Sequence, residues 1–145
     1  MQIKIQKLRD NACLPAYQSE LAAGADLYAA LETELTLAPG ERALIPTGIA
    51  AQPDRDDCVL LLTARSGLAV KKGVTLSNGV GVVDADYRGE ICVGLVNLGS
   101  GSVTIQPGDR IAQLLVLPIL RADFTEVETL TETERGSGGF GHTGA

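Results

Sequence analysis

The sequence predicts an all-β fold, a β-sandwich or jelly roll with one short helix. Three observations carry that prediction. Seventeen Gly and six Pro among 145 residues demand frequent turns, which favour short strands over long helices. The apolar residues fall in short runs divided by Pro, Gly, Asp and Asn, the punctuation of a strand-rich chain. Only one stretch carries both a helix start and a helix stop. A chain of 145 residues suits one domain. With three Tyr, two Phe and no Trp, its core is aliphatic.

Taken in order, Ile3-Lys4-Ile5 alternates and opens the fold as a strand. A polar stretch after Pro15 leads to the small-residue segment Ala22 to Ala29. Leu35-Thr36-Leu37 is a strand that ends in the turn Ala38-Pro39-Gly40-Glu41. The run Ala43 to Ile49 is interrupted by Pro46, which places it at a sheet edge or a bulge. Val59 to Thr63 is a short apolar run suited to a buried strand. Ser66 is expected as the N-cap of the one helix, which stops at Gly73, with Lys71 and Lys72 meeting the C-terminal dipole. Val80 to Leu98 is strand-like again, apart from the polar insert Asp84 to Gly89. Val103-Thr104-Ile105 and Ile111 to Leu117 are further strands joined by Gln106-Pro107-Gly108-Asp109. The segments Leu37 to Arg42 and Ile105 to Arg110 resemble each other, which suits a sandwich of repeated hairpins or a Pro-Gly turn shared by chance. Residues 1–130 form the expected core. Residues 131–145 form a Gly-rich arm that cannot offset its own ordering entropy and is expected to be mobile.

Composition excludes several functions. Eighteen acids against twelve bases leave a net charge of −6, which argues against nucleic-acid binding, because phosphate backbones select basic surfaces. No apolar run approaches a membrane span, so no membrane partner is expected. The start Met-Gln-Ile-Lys-Ile lacks a signal-peptide core, which points to the cytoplasm. Cys13, Cys58 and Cys92 have neither zinc spacing nor an even count, and are read as small apolar fillers in a reducing compartment. The single histidine, His142, cannot supply a triad or a multi-histidine metal site. Chemistry must then rest on carboxylates, arginines and a metal carried by the substrate.

The candidate residues admit more than one reading. Asp26 follows a small-residue turn and reads as an Asx-turn carboxylate or a ligand. Arg65-Ser66-Gly67 sets a guanidinium beside a helix start, which is a plain cap or a phosphate site. Asp84 and Asp86 flank one residue, so an extended backbone would send both carboxylates to one face, toward a cation, an activated water or solvent. Gln113 interrupts an apolar strand, either facing outward or touching a ligand. Arg135 and Phe140 in the Gly-rich tail could clamp a phosphate and stack on a base.

Five segments, in order, resemble the five motifs of the trimeric deoxyuridine triphosphatase (dUTPase) family. They are Ala23 to Leu27, Arg65 to Leu68, Asn78 to Gly89, Gly108 to Gln113, and Arg135 to Gly144. The resemblance implies a jelly-roll homotrimer with shared active sites that hydrolyses dUTP to dUMP and pyrophosphate with Mg2+. It implies that Asp84 deprotonates the attacking water and that Tyr87 lies under the deoxyribose. Asn78 and the backbone that follows, Gly81 included, would meet uracil. Arg65, Ser66, Gly67 and Gln113 would hold the phosphates, and Asp26 would reach the metal through water. Arg135, Ser137, Gly138, Phe140 and Thr143 would close over the nucleotide. The competing expectations are a dCTP deaminase-like enzyme of the same fold and a non-catalytic nucleotide-binding regulator.

Overall fold

The computed structural model describes residues 1–139. Its strands are β1 (Ile3–Lys7), β2 (Ala25–Tyr28), β3 (Leu35–Leu37), β4 (Arg42–Pro46), β5 (Ile49–Pro53) and β6 (Cys58–Ala64). After the helix α1 (Ser66–Lys72) come β7 (Val74–Leu76), β8 (Gly81–Asp84), β9 (Cys92–Asn97), β10 (Val103–Ile105) and β11 (Arg110–Pro118). The expected all-β fold with one short helix is therefore present. The strands form antiparallel sheets in the orders β1-β5, β10-β3, β2-β11-β6-β8 and β4-β9-β7.

One aliphatic core serves all four sheets. Leu27, Leu60, Leu62, Ile111 and Leu114 enter it from the four-stranded sheet, and Ile45, Val93, Leu95, Val74 and Leu76 from the three-stranded one. Leu37, Ile105, Ile49 and Ala51 add the contribution of the two small sheets. Burial alternates strictly along β9, with Val93, Leu95 and Asn97 turned inward, as a sheet with one covered face requires. Asn97 is the polar exception, and every polar atom of its side chain is used. Its Nδ2 donates to the carbonyls of Leu37 (2.9 Å) and Gly101 (2.8 Å), and its Oδ1 accepts from Gly99 N–H (2.9 Å).

Several sequence expectations change. The two Pro-Gly segments are not hairpins. In each, Pro precedes a Gly in the left-handed region (Gly40 φ 80°, Gly108 φ 81°), the signature of a type II turn. Each closes with a carboxylate, Glu41 or Asp109, accepting 2.8 Å from the N–H three residues back. Type II turns splay the flanking strands instead of pairing them. The chain accordingly leaves for another sheet after each turn, and β3 pairs with β10 itself, Leu37 opposite Val103. The run from Ala43 to Ile49 is two strands, separated at Thr47-Gly48, where Gly48 has φ 70°. Pro46 ends β4 at the edge of its sheet, as expected. Ser66 is the first helical residue, and Arg65 is the N-cap, with extended backbone and no side-chain cap. Gly73 does close α1, with φ 73°, and a Cβ there would lie 2.5 Å from Gly99 N. Strand β7, three residues long, is too short for its periodicity to be seen. Cys58 is buried and Cys92 half-buried, but Cys13 is exposed and fills nothing.

Candidate active site

The sequence-predicted site residues fall into two groups at opposite ends of the four-stranded sheet. At one end the carboxylate of Asp26, on β2, is 1% exposed. It accepts from Arg65 Nε (3.1 Å), Arg110 Nη1 (3.2 Å) and, more weakly, Gln113 Nε2 (3.4 Å). A β-bulge in β11 makes this convergence possible. Arg110 lies opposite Tyr28 and Gln113 opposite Asp26, with the register shifting between Arg110 and Ala112. Side chains alternate faces along a strand, so residues three apart point opposite ways; the extra residue of the bulge returns them to one face. Gly24 leaves the room required, since a Cβ there would meet Gln113 Cβ at 3.1 Å.

Two guanidiniums against one carboxylate leave this end with surplus positive charge. Ser66 and Gly67, both exposed, open α1 beside Arg65, and the first turn of a helix has N–H groups without intrahelical acceptors. Together these groups can bind an oligophosphate. Replacing Asp26 by Asn removes the shared anion and leaves the two arginines facing each other. The expected loss of stability is about 1–3 kcal/mol, toward the lower value because both guanidiniums keep contact with water. Urea denaturation reads it, and an unchanged midpoint would show that Asp26 does not organise the cluster.

At the other end a groove of about 310 Å³ is lined by Leu44, Val83, Asp84, Tyr87, Glu90 and Cys92, among others. Strand β8 stops at Asp84, and residues 85–86 turn. Asp84 and Asp86 therefore do not share an extended face, contrary to the sequence reading. Tyr87 N–H donates to the Asp84 carbonyl (3.1 Å), and Arg88 Nη1 donates to the carbonyls of Ala85 (2.7 Å) and Tyr87 (2.9 Å). The Tyr87 ring is 46% exposed. Its hydroxyl donates to the Glu90 carbonyl (3.1 Å), and a Cβ on Gly89 would fall 2.3 Å from that hydroxyl. Only glycine lets the phenol lie down there. Hydrogen bonds from Arg9 hold the Glu90 carboxyl below its ordinary range, with Gly48 N–H assisting against the opposing effect of burial. Burial pushes the Cys92 thiol up, and the Glu90 charge adds to this.

Asn78 is exposed in the turn entering β8, where Gly79 has φ 72°. Gly81 is buried against Leu62, whose Cβ a side chain would approach to 2.8 Å, so packing already explains it. Arg135 bends back on its own segment, its Nε 2.9 Å from the Gly138 carbonyl, with Ser137 exposed beside it. Phe140 and Thr143 lie outside the described residues. Sequence reasoning missed Arg110, although the Gly-Asp-Arg-Ile-Ala-Gln segment contained it, because nothing local announces a bulge.

The family model for dUTPase matches residues 10–144. The chain belongs to the dUTPase family. It is 54% identical over 136 residues to the deoxyuridine 5'-triphosphate nucleotidohydrolase of Desulfotalea psychrophila, covering 93% of this chain and 89% of that protein. The corresponding protein of Xanthomonas campestris pv. campestris is 50% identical over 131 residues, covering 90% and 86%. Among solved structures, a Staphylococcus bacteriophage 80alpha dUTPase with dUpNHpp superposes with a TM-score of 0.89 at 28% identity, covering 99% of each chain. A dUTPase from phage phi11 of S. aureus, described with a structural Mg(II) ion, gives 0.81 at 25% identity, covering 91% of this chain and all of that one. This dUTPase-family chain thus has the jelly-roll fold expected of it.

A magnesium ion bound by the protein alone does not suit this donor set. Among the described residues no three His, Cys, Asp or Glu side chains gather as ligands. An ion that arrives on a triphosphate, keeps its waters and touches one carboxylate through them does suit it. Asp26 would be the carboxylate to offer it an acceptor, with one of about four lone-pair positions left after its three donors.

Proposed function

We propose that the protein hydrolyses dUTP to dUMP and pyrophosphate, limiting uracil incorporation into DNA and supplying dUMP for thymidylate synthesis. The observation that carries the mechanism is an exposed carboxylate, Asp84, beside a half-exposed tyrosine at one end of the sheet, with a two-arginine anion site at the other. Asp84 takes the proton from the water that attacks the α-phosphorus. Tyr87 lies under the deoxyribose and leaves no room for a 2′-hydroxyl, while Asn78 and the backbone through Gly81 meet the uracil edge. Arg65, Ser66, Gly67 and Gln113 hold the phosphates. Magnesium held on the triphosphate supplies charge neutralisation and fixes the reactive conformer, and Asp26 would meet it through water. Arg135, Ser137, Gly138, Phe140 and Thr143 form the closing arm.

The site is proposed to be shared within a homotrimer, and the register supports this. Asp84 stands opposite Val59 at the start of β6, whereas Arg65 follows the end of that strand. At a strand's rise per residue the two are about 20 Å apart. A base at the α-phosphorus and ligands of the same triphosphate cannot be that far apart, so one nucleotide needs the two ends from different copies. The segment after β11 supports it too. Leu120, Phe124 and Leu130 are 100%, 97% and 85% exposed, a pattern suited to crossing onto a neighbour. The proposed compartment is the cytoplasm, where the free cysteines stay reduced. No helix among the described residues is long and apolar enough to cross a membrane.

Incubation with dUTP and magnesium, measuring pyrophosphate, tests the reaction; ammonia release from dCTP would favour the deaminase instead. Chelation is expected to lower the rate by about tenfold or more, since metals of this kind stabilise several kcal/mol of transition-state charge. The melting temperature without nucleotide is expected to stay within about 1 °C, because no cluster of metal-ligating side chains gathers among the described residues. A large fall in melting temperature would show a structural ion.

A further inference from the structure

We propose that Arg9 and Glu90 form a brace that positions Tyr87, and that this brace sets how strictly the protein rejects ribonucleotides. The inference rests on the reading of Tyr87 as the group under the sugar. Among the described residues the Tyr87 side chain is steered by one hydrogen bond, from its hydroxyl to the backbone carbonyl of Glu90. That carbonyl shares its peptide unit with the Ile91 N–H, which donates to the Ile49 carbonyl, and the Glu90 side chain ties the other flank of the residue down on two sides. Arg9 donates to both carboxylate oxygens, Nε to Oε1 at 2.8 Å and Nη2 to Oε2 at 3.2 Å. Gly48 N–H donates to Oε1 at 2.9 Å.

The anchor behind this fork is rigid. The Gly48 carbonyl accepts from Leu8 N–H (2.7 Å), Ile91 N–H donates to the Ile49 carbonyl (2.8 Å), and Thr47 N–H donates to the Ile91 carbonyl (3.2 Å). Gly48 has φ 70°, and a Cβ there would lie 2.6 Å from Ala12 Cβ, so the chain passes through a gap that only glycine fits. The residues beside Arg9, the Thr47–Ile49 turn and the far end of the Tyr87 loop are thus one hydrogen-bonded unit, and the Arg9–Glu90 pair is its outer clasp. A planar, two-point guanidinium–carboxylate contact fixes orientation as well as distance. Arg9 precedes the span matched by the family model, residues 10–144, and it does not line the groove of Asp84 and Tyr87, whereas Glu90 does; in this proposal both act through Tyr87. Both are positioning residues.

The experiment compares kcat and KM for dUTP and UTP in Arg9→Gln, Arg9→Lys, Glu90→Gln, the Arg9→Gln/Glu90→Gln double variant and Tyr87→Ala, with melting temperatures alongside. Arg9 is on the surface, so its variants fold. Arg9→Gln is expected to cut the dUTP-over-UTP preference about fivefold through KM, with kcat for dUTP within about twofold, as suits loss of one charge-assisted fork. Arg9→Lys, which keeps the charge without the fork, recovers part of the preference. The double variant matches the worse single one, because both act through one pair. An unchanged preference in Arg9→Gln overturns the proposal, as do losses that add in the double variant or a fall in rate equal for both nucleotides that merely tracks melting temperature. Should Tyr87→Ala shift the preference while Arg9→Gln does not, the brace falls and the sugar reading stands. Should Tyr87→Ala also leave it unchanged, both fall.

Discussion

Asp84→Asn is expected to reduce kcat for dUTP by about 10²–10⁴-fold, the span that a positioned general base contributes, while the nucleotide still binds with an affinity near that of the parent. The reason lies in how Asp84 is presented. It is the last residue of β8, paired opposite Val59, so its backbone is fixed by the sheet. Its side chain is exposed, and among the described residues no side chain donates a hydrogen bond to it. The carboxylate therefore stands ready to accept from a water. Asparagine keeps the shape and one acceptor oxygen but has no proton affinity to offer. Binding should survive, because the proposed phosphate ligands belong to the Asp26 end. Single-turnover kinetics and a titration with a non-hydrolysable analogue separate the two effects. A variant that turns over within a fewfold of the parent would remove Asp84 from the role of base, and one that fails to bind would make it a substrate ligand.

Ending the chain after Arg135 is expected to cost nearly as much. The deleted stretch carries Phe140, which is to stack on uracil, and Ser137 and Thr143, which are to add hydrogen bonds. Stacking alone contributes about 1–3 kcal/mol per base, and enclosure that excludes bulk water strengthens the remaining polar contacts. A loss of about 10²–10³-fold in kcat/KM follows from about 3–4 kcal/mol lost in the transition state. The melting temperature should hardly move, since among the described residues the core cluster draws none from beyond β11. Protection of the full-length tail from protease by a dUTP analogue is the companion measurement. Near-normal turnover in the shortened protein, or equal cleavage with and without analogue, would show that the arm is not a lid.

What the sequence discloses and what it hides divide along a physical line. Features set by a few consecutive residues are legible: the alternation of Ile3-Lys4-Ile5, the Pro-Gly turns, the helix stop at Gly73, and the five motifs that carry the family. Features set by pairing partners are not. The type II geometry of the turns at Gly40 and Gly108 is local and separates the flanking strands, but which sheet the next strand joins is decided by its partners, β9 for β4 and the pair β2 and β6 for β11. The two-residue spacing of Asp84 and Asp86 suggested a shared face because it assumed extended backbone, and the end of β8 removes that assumption. Arg9 and Glu90 are 81 positions apart, with nothing in either neighbourhood to announce the other. Arg110 was visible inside its motif, yet its direction depends on one unpaired residue of β11.

That unpaired residue makes the anion cluster sensitive to length more than to composition. Most substitutions along β11 would change what a side chain is without changing where it points. Adding one residue between Arg110 and Gln113 would preserve the composition almost entirely and rotate one of the two away from Asp26, because direction along a strand repeats every second residue, whereas removing the unpaired residue would leave them two apart and still on one face. An exchange of this strand between relatives, or a redesign of its outer face, must therefore conserve the number of paired positions between Arg110 and Gln113 before it conserves their identities.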